Sequence, residues 1–494
     1  MEAVNKSMVK GAFWMILLRL VVRGIGLIST VILARLLLPA DFGLIAMAMS
    51  FIAAFELMGA FSLDVVLIQN RDARRSHYDT AWTFNVIAAA LQALILIFIA
   101  PLIADFYNDS RLIMVVYLLA LGVLVQGFEN IGIVAFRKDL EFHKDFKFQV
   151  ATKLFAFTVT MGLAFWLRSY WALIGGMLAS KFMGVAFSYV VHSYRPKFSV
   201  AARSELFHFS KWLFINNLLF FASHQSANFI LGRIAGPHAL GLFTLSYEIS
   251  NLPSTDLVAP INRAIFPGYA KMAKDLAVLR QGFLNVISAI ALISLPVCIG
   301  IALTAEPLVY VLLGERWRDA VPLIQVLAIA GLVAALQTNK GAVYLAMGRP
   351  RIMTLLAGIH VATLIPALIW GTMRNGVVGA AEATVIVSAL LLPLNYAVLF
   401  RVISLPLPKF VEVLWRPLVS AAVMALAVKA TLEFLPTGNF PAYLTQLILA
   451  TIAGGASYMG SIVILWKLTG MEPGVEGLLL SKFANHFKSL FAKG

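Results

Sequence analysis

Apolar runs long enough to cross a bilayer recur along this chain from end to end, and no other feature constrains its fold as strongly. A transmembrane helix needs about 20 apolar residues. Runs of roughly that length occupy 11–37, 42–68, 81–103, 112–135, 148–167, 171–191, 209–232, 239–266, 283–304, 321–347, 352–370, 377–400, 411–432 and 443–466. Lipid offers the backbone no hydrogen-bond partners, so such runs have to form helices. The expected fold is therefore an all-α polytopic membrane protein of about fourteen transmembrane helices. Of its 494 residues 61% are hydrophobic and 13% charged, against about 45–50% and about 25% in soluble domains.

The net charge of +15 would suit a nucleic-acid binder, but its distribution excludes one. Basic residues fall in the short breaks between apolar runs, where they report topology. Twenty-five lysines and arginines lie in breaks on the side of the N-terminus and only seven in the opposite breaks, so both termini are expected in the cytoplasm. The first run is too long for a secretion signal and lacks a small-residue cleavage site, so it is expected to remain as an anchor. The single cysteine, Cys298, sits in an apolar run and reads as a small buried hydrophobe. Beyond Trp466 the residues Leu478, Leu479, Phe483, Phe487, Leu490 and Phe491 recur at helical spacing, with Lys482, Lys488 and Lys493 among them. A basic amphipathic helix of this kind is expected to lie on the anionic leaflet.

An internal repeat sets the architecture. Displacement by 198 residues superposes Trp14 on Trp212, Leu20 on Leu218, Ile32 on Ile230, Leu33 on Leu231 and Arg35 on Arg233, then Pro39 on Pro237, Gly43 on Gly241 and Leu44 on Leu242. The offset spans six helices, an even number, so the two copies face the same way. Two pseudo-symmetric six-helix lobes follow, 1–195 and 196–405, with two extra helices in 406–467 and the tail 468–494.

Arg19 and Arg23 interrupt the first run. Four residues apart, they share one helix face. An arginine at bilayer depth costs about 2.5–3.5 kcal/mol on insertion scales, so that face is expected to meet water or an anion. Snorkelling to the surface or pairing with a carboxylate is the plainer alternative. The corresponding stretch of the second copy is uncharged: Asn217, His224 and Asn228 share a face, flanked by Gln225. The eighth helix adds Glu248, Asn251 and Thr255, with Pro253 able to open its backbone. Amides and a carboxylate of this kind suit a sugar or a coupling ion, although interhelical hydrogen bonding would use them equally well. Glu56, Glu129, Glu382 and Lys340 also lie deep, whereas Lys153, Lys181 and Asp64 sit near expected cytoplasmic ends and can snorkel. No phosphate-cradling loop, metal-ligand cluster or nucleophile elbow is present, and no break is long enough for a catalytic domain. The expectation is a transporter and not an enzyme, with no cofactor and no metal.

Four stretches, KGAFW (10–14), ARLLLPADFGLIAMA (34–48), INRAIFPGYAKM (261–272) and LGERWRDAVPLIQVLAIAG (313–331), carry a family resemblance over essentially the whole chain. The chain resembles the polysaccharide transporter family of the multidrug/oligosaccharidyl-lipid/polysaccharide superfamily, the Wzx-type flippases. The resemblance implies two six-helix lobes with two further helices, and outward movement of polyprenyl-diphosphate-linked oligosaccharides across the bacterial inner membrane. It implies that Arg19 and Arg23 hold the diphosphate. Polysaccharide polymerase and export proteins would be partners, alongside membrane lipids. A multidrug or cation antiporter of the same superfamily is the alternative, but it would want acidic residues where this chain leads with arginines.

Overall fold

The computed structural model describes residues 2–59, 67–68, 73–202, 211–470 and 477, with the backbone alone at 2–10, 12, 56–59, 211–214, 216 and 263–264. All regular structure among the described residues is helical. In chain order the helices are α1 (Glu2–Leu36), α2 (Pro39–Gly59), α3 (Arg75–Tyr107), α4 (Arg111–Gly127), α5 (Val134–Lys138), α6 (Phe142–Leu167), α7 (Trp171–Val191) and α8 (Lys211–Leu252). They continue with α9 (Ala259–Met272), α10 (Leu276–Leu303), α11 (Ala305–Leu312), α12 (Val321–Ala346), α13 (Pro350–Ile403), α14 (Leu407–Phe434) and α15 (Phe440–Leu468). Among the described residues nine helices are long and apolar enough to span a membrane, ten if the bent pair Arg111–Gly127 and Ile131–Lys138 counts as one. Two of the helices are divided internally. Gly236, at φ 80°, breaks α8, and Asn375 with Gly376 breaks α13. Fourteen crossings are compatible with these elements. The amphipathic tail and Asp64 lie outside the described residues.

The chain packs as two compact units, Met1–Gly241 and Leu242–Gly494. In the first, α1 lies along α6: Gly11 abuts the Phe142 ring, Trp14 meets Phe146 at 5.0 Å, and Leu33 and Leu37 pack with Met161 and Ala164. The two helices therefore run parallel with a nearly constant offset. Helix α7 returns antiparallel, pressed so closely on α6 that a Cβ at Gly176 would lie 1.8 Å from Thr160 Oγ1.

The repeat has a physical basis at its two Pro-x3-Gly turns. A Cβ on Gly43 would lie 1.7 Å from the Pro237 carbonyl oxygen, and one on Gly241 would lie 1.8 Å from that of Pro39. Each copy's glycine receives the other copy's proline carbonyl, so neither position has room for a side chain.

After α7 the chain runs extended across the start of α3. Asp79 Oδ1 accepts from Tyr194 Oη at 2.7 Å and from the Lys197 amide at 2.8 Å. The Ser199 amide donates to Thr83 Oγ1 at 2.9 Å, the Ala202 amide donates to Thr80 Oγ1 at 3.2 Å, and Asn130 Nδ2 donates to the Tyr194 carbonyl at 2.7 Å. Asp79, Thr80, Thr83 and Asn130 are buried beneath this strap. Burial without such partners would cost about 1–3 kcal/mol for each group.

In the second unit α10, α12 and α13 enclose Phe283, Tyr344 and Leu399. Helices α14 and α15 pack on α10 through Leu295, Met424 and Tyr458, whose hydroxyl donates to the Leu292 carbonyl at 3.1 Å. A π-helical turn, Pro253–Val258, follows α8 at the proline expected to open the backbone. Such turns release backbone groups from regular pairing.

Candidate anion-binding cavity

Within the first unit α1, α2, α4, α6 and α7 line two adjoining cavities. One, of about 360 Å³, is mainly apolar, lined by Ile25, Ser29, Leu33, Phe157 and Met177 among others. The other, of about 250 Å³, is lined by Val22, Gln126, Glu129, Gln149 and Thr152. Lys153, Ser180 and Lys181 line both.

The packing of the helices puts the two lysines at one height. Thr160 opposes Gly176, so along the antiparallel pair Lys153 falls opposite residue 183, two residues from Lys181. Gly11 against Phe142, and Leu33 with Leu37 against Met161 and Ala164, likewise set Lys153 level with Val22 to Ile25 on α1. The apolar part of α6, 148–167, is about 30 Å long, as thick as the hydrocarbon layer, and Lys153 stands about 8 Å inside its start. Lys181 Nζ donates to Gln126 Oε1. Lys153 makes no hydrogen bond or ion pair among the described residues.

Arg19 and Arg23 are half-buried on α1. At about 100° per residue they stand roughly 60° and 100° from Val22, on the flank of the stripe that Val22, Ser29 and Leu33 turn into the cavities. The cationic groups of α1, α6 and α7 thus occupy one level of the first unit. From the sequence Lys153 and Lys181 are expected near a membrane surface; the structure adds that both line the same two cavities. The available signal was the matched depth of Lys153 and Lys181 on consecutive helices.

Other expected site residues fall into separate groups. On α8 Asn228 Nδ2 donates to Gln225 Oε1 at 2.6 Å, and the exposed His224 lies tilted against Phe220, ring centres 4.2 Å apart. Asn217 is half-buried on the same helix. Tyr107 Oη reaches the Asn228 carbonyl at 3.5 Å and lies 3.0 Å from Ser50 Oγ, so this turn of α8 is tied to α2 and α3. Glu56 lies on α2, and its side chain is outside the described residues.

In the second unit Glu248 is exposed, whereas Asn251 is buried, its Nδ2 donating to the Tyr247 carbonyl at 3.0 Å. Thr255 Oγ1 donates to the Asn251 carbonyl at 3.1 Å. Gly331 of α12 presses on the backbone here: a Cβ would lie 2.2 Å from the Ser250 carbonyl oxygen. Lys340 Nζ donates to Gln337 Oε1 at 2.7 Å, and the same oxygen accepts from Asn395 Nδ2 at 2.9 Å.

Known proteins resemble the chain at this level. A family described as "Polysaccharide biosynthesis protein" matches residues 32–322. The lipopolysaccharide biosynthesis protein WzxC of Escherichia coli (strain K12) is 25% identical over 420 residues, covering 84% of this chain and 85% of that protein. The succinoglycan biosynthesis transport protein ExoT of Rhizobium meliloti (strain 1021) is 24% identical over 466 residues, covering 93% and 92%. Among solved structures, the lipid II flippase MurJ in an inward closed conformation matches with a TM-score of 0.72 at 11% identity, over 93% of this chain and 99% of that one. The last likeness is one of fold.

Proposed function

Because this chain belongs to the polysaccharide biosynthesis protein family, we propose that it is a flippase, carrying lipid-diphosphate-linked oligosaccharide units across the bacterial inner membrane for polysaccharide assembly. The reading rests above all on Lys153, a cation inside the apolar run of α6 with no partner among the described residues, lining two cavities together with Lys181. A charge so placed is stabilised by an anion, and a diphosphate supplies several acceptor oxygens. The names of WzxC and ExoT, and the MurJ fold, agree with this cargo.

Arg19 and Arg23 grip the diphosphate as planar forks, with Lys153 and Lys181 as point charges beside them. Asn217, His224, Gln225, Asn228 and Asn251 offer amides and an imidazole to the sugars. Glu248, then Glu56 and Lys340, are the groups through which an ion gradient would bias alternating access, since an ion shifts a two-state equilibrium only by binding the states unequally. The six-helix lobes 1–195 and 196–405 are the moving bodies, and both termini face the cytoplasm. The protein performs no bond chemistry itself; a polymerase and export proteins act on what it delivers. An antiporter of organic cations is the second reading, suggested by the shared superfamily fold, but Lys153 and Lys181 outnumber Glu129 in the lining and oppose it.

The test is export. In cells lacking the native transporter, Arg19→Gln with Arg23→Gln should lose nearly all polysaccharide export, while the protein still reaches the membrane at normal abundance. Normal export by that double variant would overturn the assignment of the diphosphate.

A further inference from the structure

A second charged site lies far along the chain, in the hairpin of α13. Its two legs meet at glycines: a Cβ on Gly371 would lie 2.3 Å from the Gly379 carbonyl oxygen, and one on Gly379 would lie 2.0 Å from that of Gly371. Beside this crossing the legs leave a groove of about 600 Å³, lined by Ala367, Trp370 and Arg374 on one leg and Glu382, Ala383 and Ile386 on the other. That volume is in the range of small-molecule sites. Arg374 and Glu382 are both exposed, and Trp370 is 61% exposed.

Side chains on a helix lean toward its N-terminus. Arg374 on the first leg therefore leans back from the turn, and Glu382 on the returning leg leans up toward it, so both approach the level of the glycine crossing. They nevertheless form no ion pair with each other. The guanidinium lies 5.1 Å from the centre of the Trp370 ring, and Glu382 makes no hydrogen bond or ion pair among the described residues. Its depth makes that notable. The second leg, 377–403, is about 40 Å long against a hydrocarbon layer of about 30 Å. Glu382 stands roughly 8 Å below the turn, just within the apolar boundary. Leaning toward the turn, its carboxylate reaches head-group level, where a cation is its natural partner, and Arg374 of the other leg lies over a ring instead.

We propose that this groove binds phosphatidylethanolamine from the bilayer, its phosphate on Arg374 and its primary ammonium on Glu382. The opposite charges of the head group match the two side chains. Ala367 and Ile386, below the charged pair, continue the groove along the hydrocarbon, where the start of an acyl chain would lie. This occupant accounts for both charges, whereas an anionic lipid would leave Glu382 facing repulsion and a choline head group could not donate hydrogen bonds to it.

Thermal unfolding of the purified full-length protein, with phosphatidylethanolamine, phosphatidylglycerol or phosphatidylcholine added to the detergent, tests the proposal. Phosphatidylethanolamine should raise the midpoint more than either other lipid. Glu382→Gln should weaken its half-saturating concentration by about tenfold, the loss of one charge-assisted contact, and erase its advantage over phosphatidylcholine. Arg374→Gln should weaken all three lipids, and carries the test alone if the glutamate variant fails to accumulate. Equal stabilisation by phosphatidylglycerol, or an unchanged preference in Glu382→Gln, would overturn the proposal. The same shift from water-soluble glycerophosphoethanolamine would also overturn it, because the occupant would then not be a membrane lipid.

Discussion

At the scale of single residues the account turns on where positive charge sits in an apolar chain. Arg19 and Arg23 were legible in the sequence because they interrupt a run whose length alone assigns it to the membrane. Lys153 and Lys181 read in the sequence as residues able to snorkel, and what the sequence did not disclose is that both line the same two cavities. Their pairing across α6 and α7 depends on the tight Gly176–Thr160 contact, which periodicity does not disclose. If the lysines share in holding the cargo, Lys153→Gln and Lys181→Gln should each reduce export several-fold. The two together should approach the defect of the arginine pair, since residues acting on one ligand are not additive. Export rates normalised to membrane abundance decide this, and a double lysine variant with normal export would remove both from the site. The polar groups of α8 were also legible as a stripe, but not that Asn228 and Gln225 bond to one another.

At the scale of elements the repeat was readable and its reason was not. The matched Pro39 and Pro237, and Gly43 and Gly241, announce a duplicated turn; only the packing shows each glycine receiving the other copy's carbonyl. Gly43→Ala should therefore lower the unfolding temperature of the purified protein sharply, as overpacking by even one methyl costs about 1–3 kcal/mol. Gly24→Ala, where nothing lies within 4 Å, serves as the control. Equal midpoints for the two variants would contradict the close approach. The strap after α7 was not legible at all, because its anchors are backbone amides on Asp79, Thr80 and Thr83 and leave no pattern in sequence. His192 opens the strap, its Nδ1 accepting from the Tyr194 amide at 3.1 Å. Burial, with Lys144 and Arg195 nearby, lowers its pKa below the ordinary 6.5, while Glu141 and Asp139 act in the opposite direction. The undocked strap takes up a proton near pH 6.5 that the docked strap resists. Docking is thus strongest above pH 6.5 and weakens as the pH falls. Amide exchange across 192–202, corrected for intrinsic rates, should accelerate on acidification through that range, and a flat profile would show that His192 does not hold the strap.

At the scale of the whole molecule, length and spacing of apolar runs were enough to establish an all-helical membrane protein, because lipid leaves the backbone so few alternatives. Run counting separated the legs of α8 and α13 at the turns where Gly236 and Asn375–Gly376 leave helical geometry, but it could not reveal that α14 and α15 pack on α10. The central claim is movement of a lipid diphosphate through a cationic cavity, and translocation in reconstituted vesicles measures it directly. A fluorescent lipid-diphosphate oligosaccharide, placed in one leaflet, is followed by its accessibility to a membrane-impermeant quencher. Vesicles holding the intact protein should move the lipid far faster than empty vesicles, and those holding Arg19→Gln with Arg23→Gln should fall to the empty-vesicle rate. Equal translocation by the intact protein and the double variant would contradict the account.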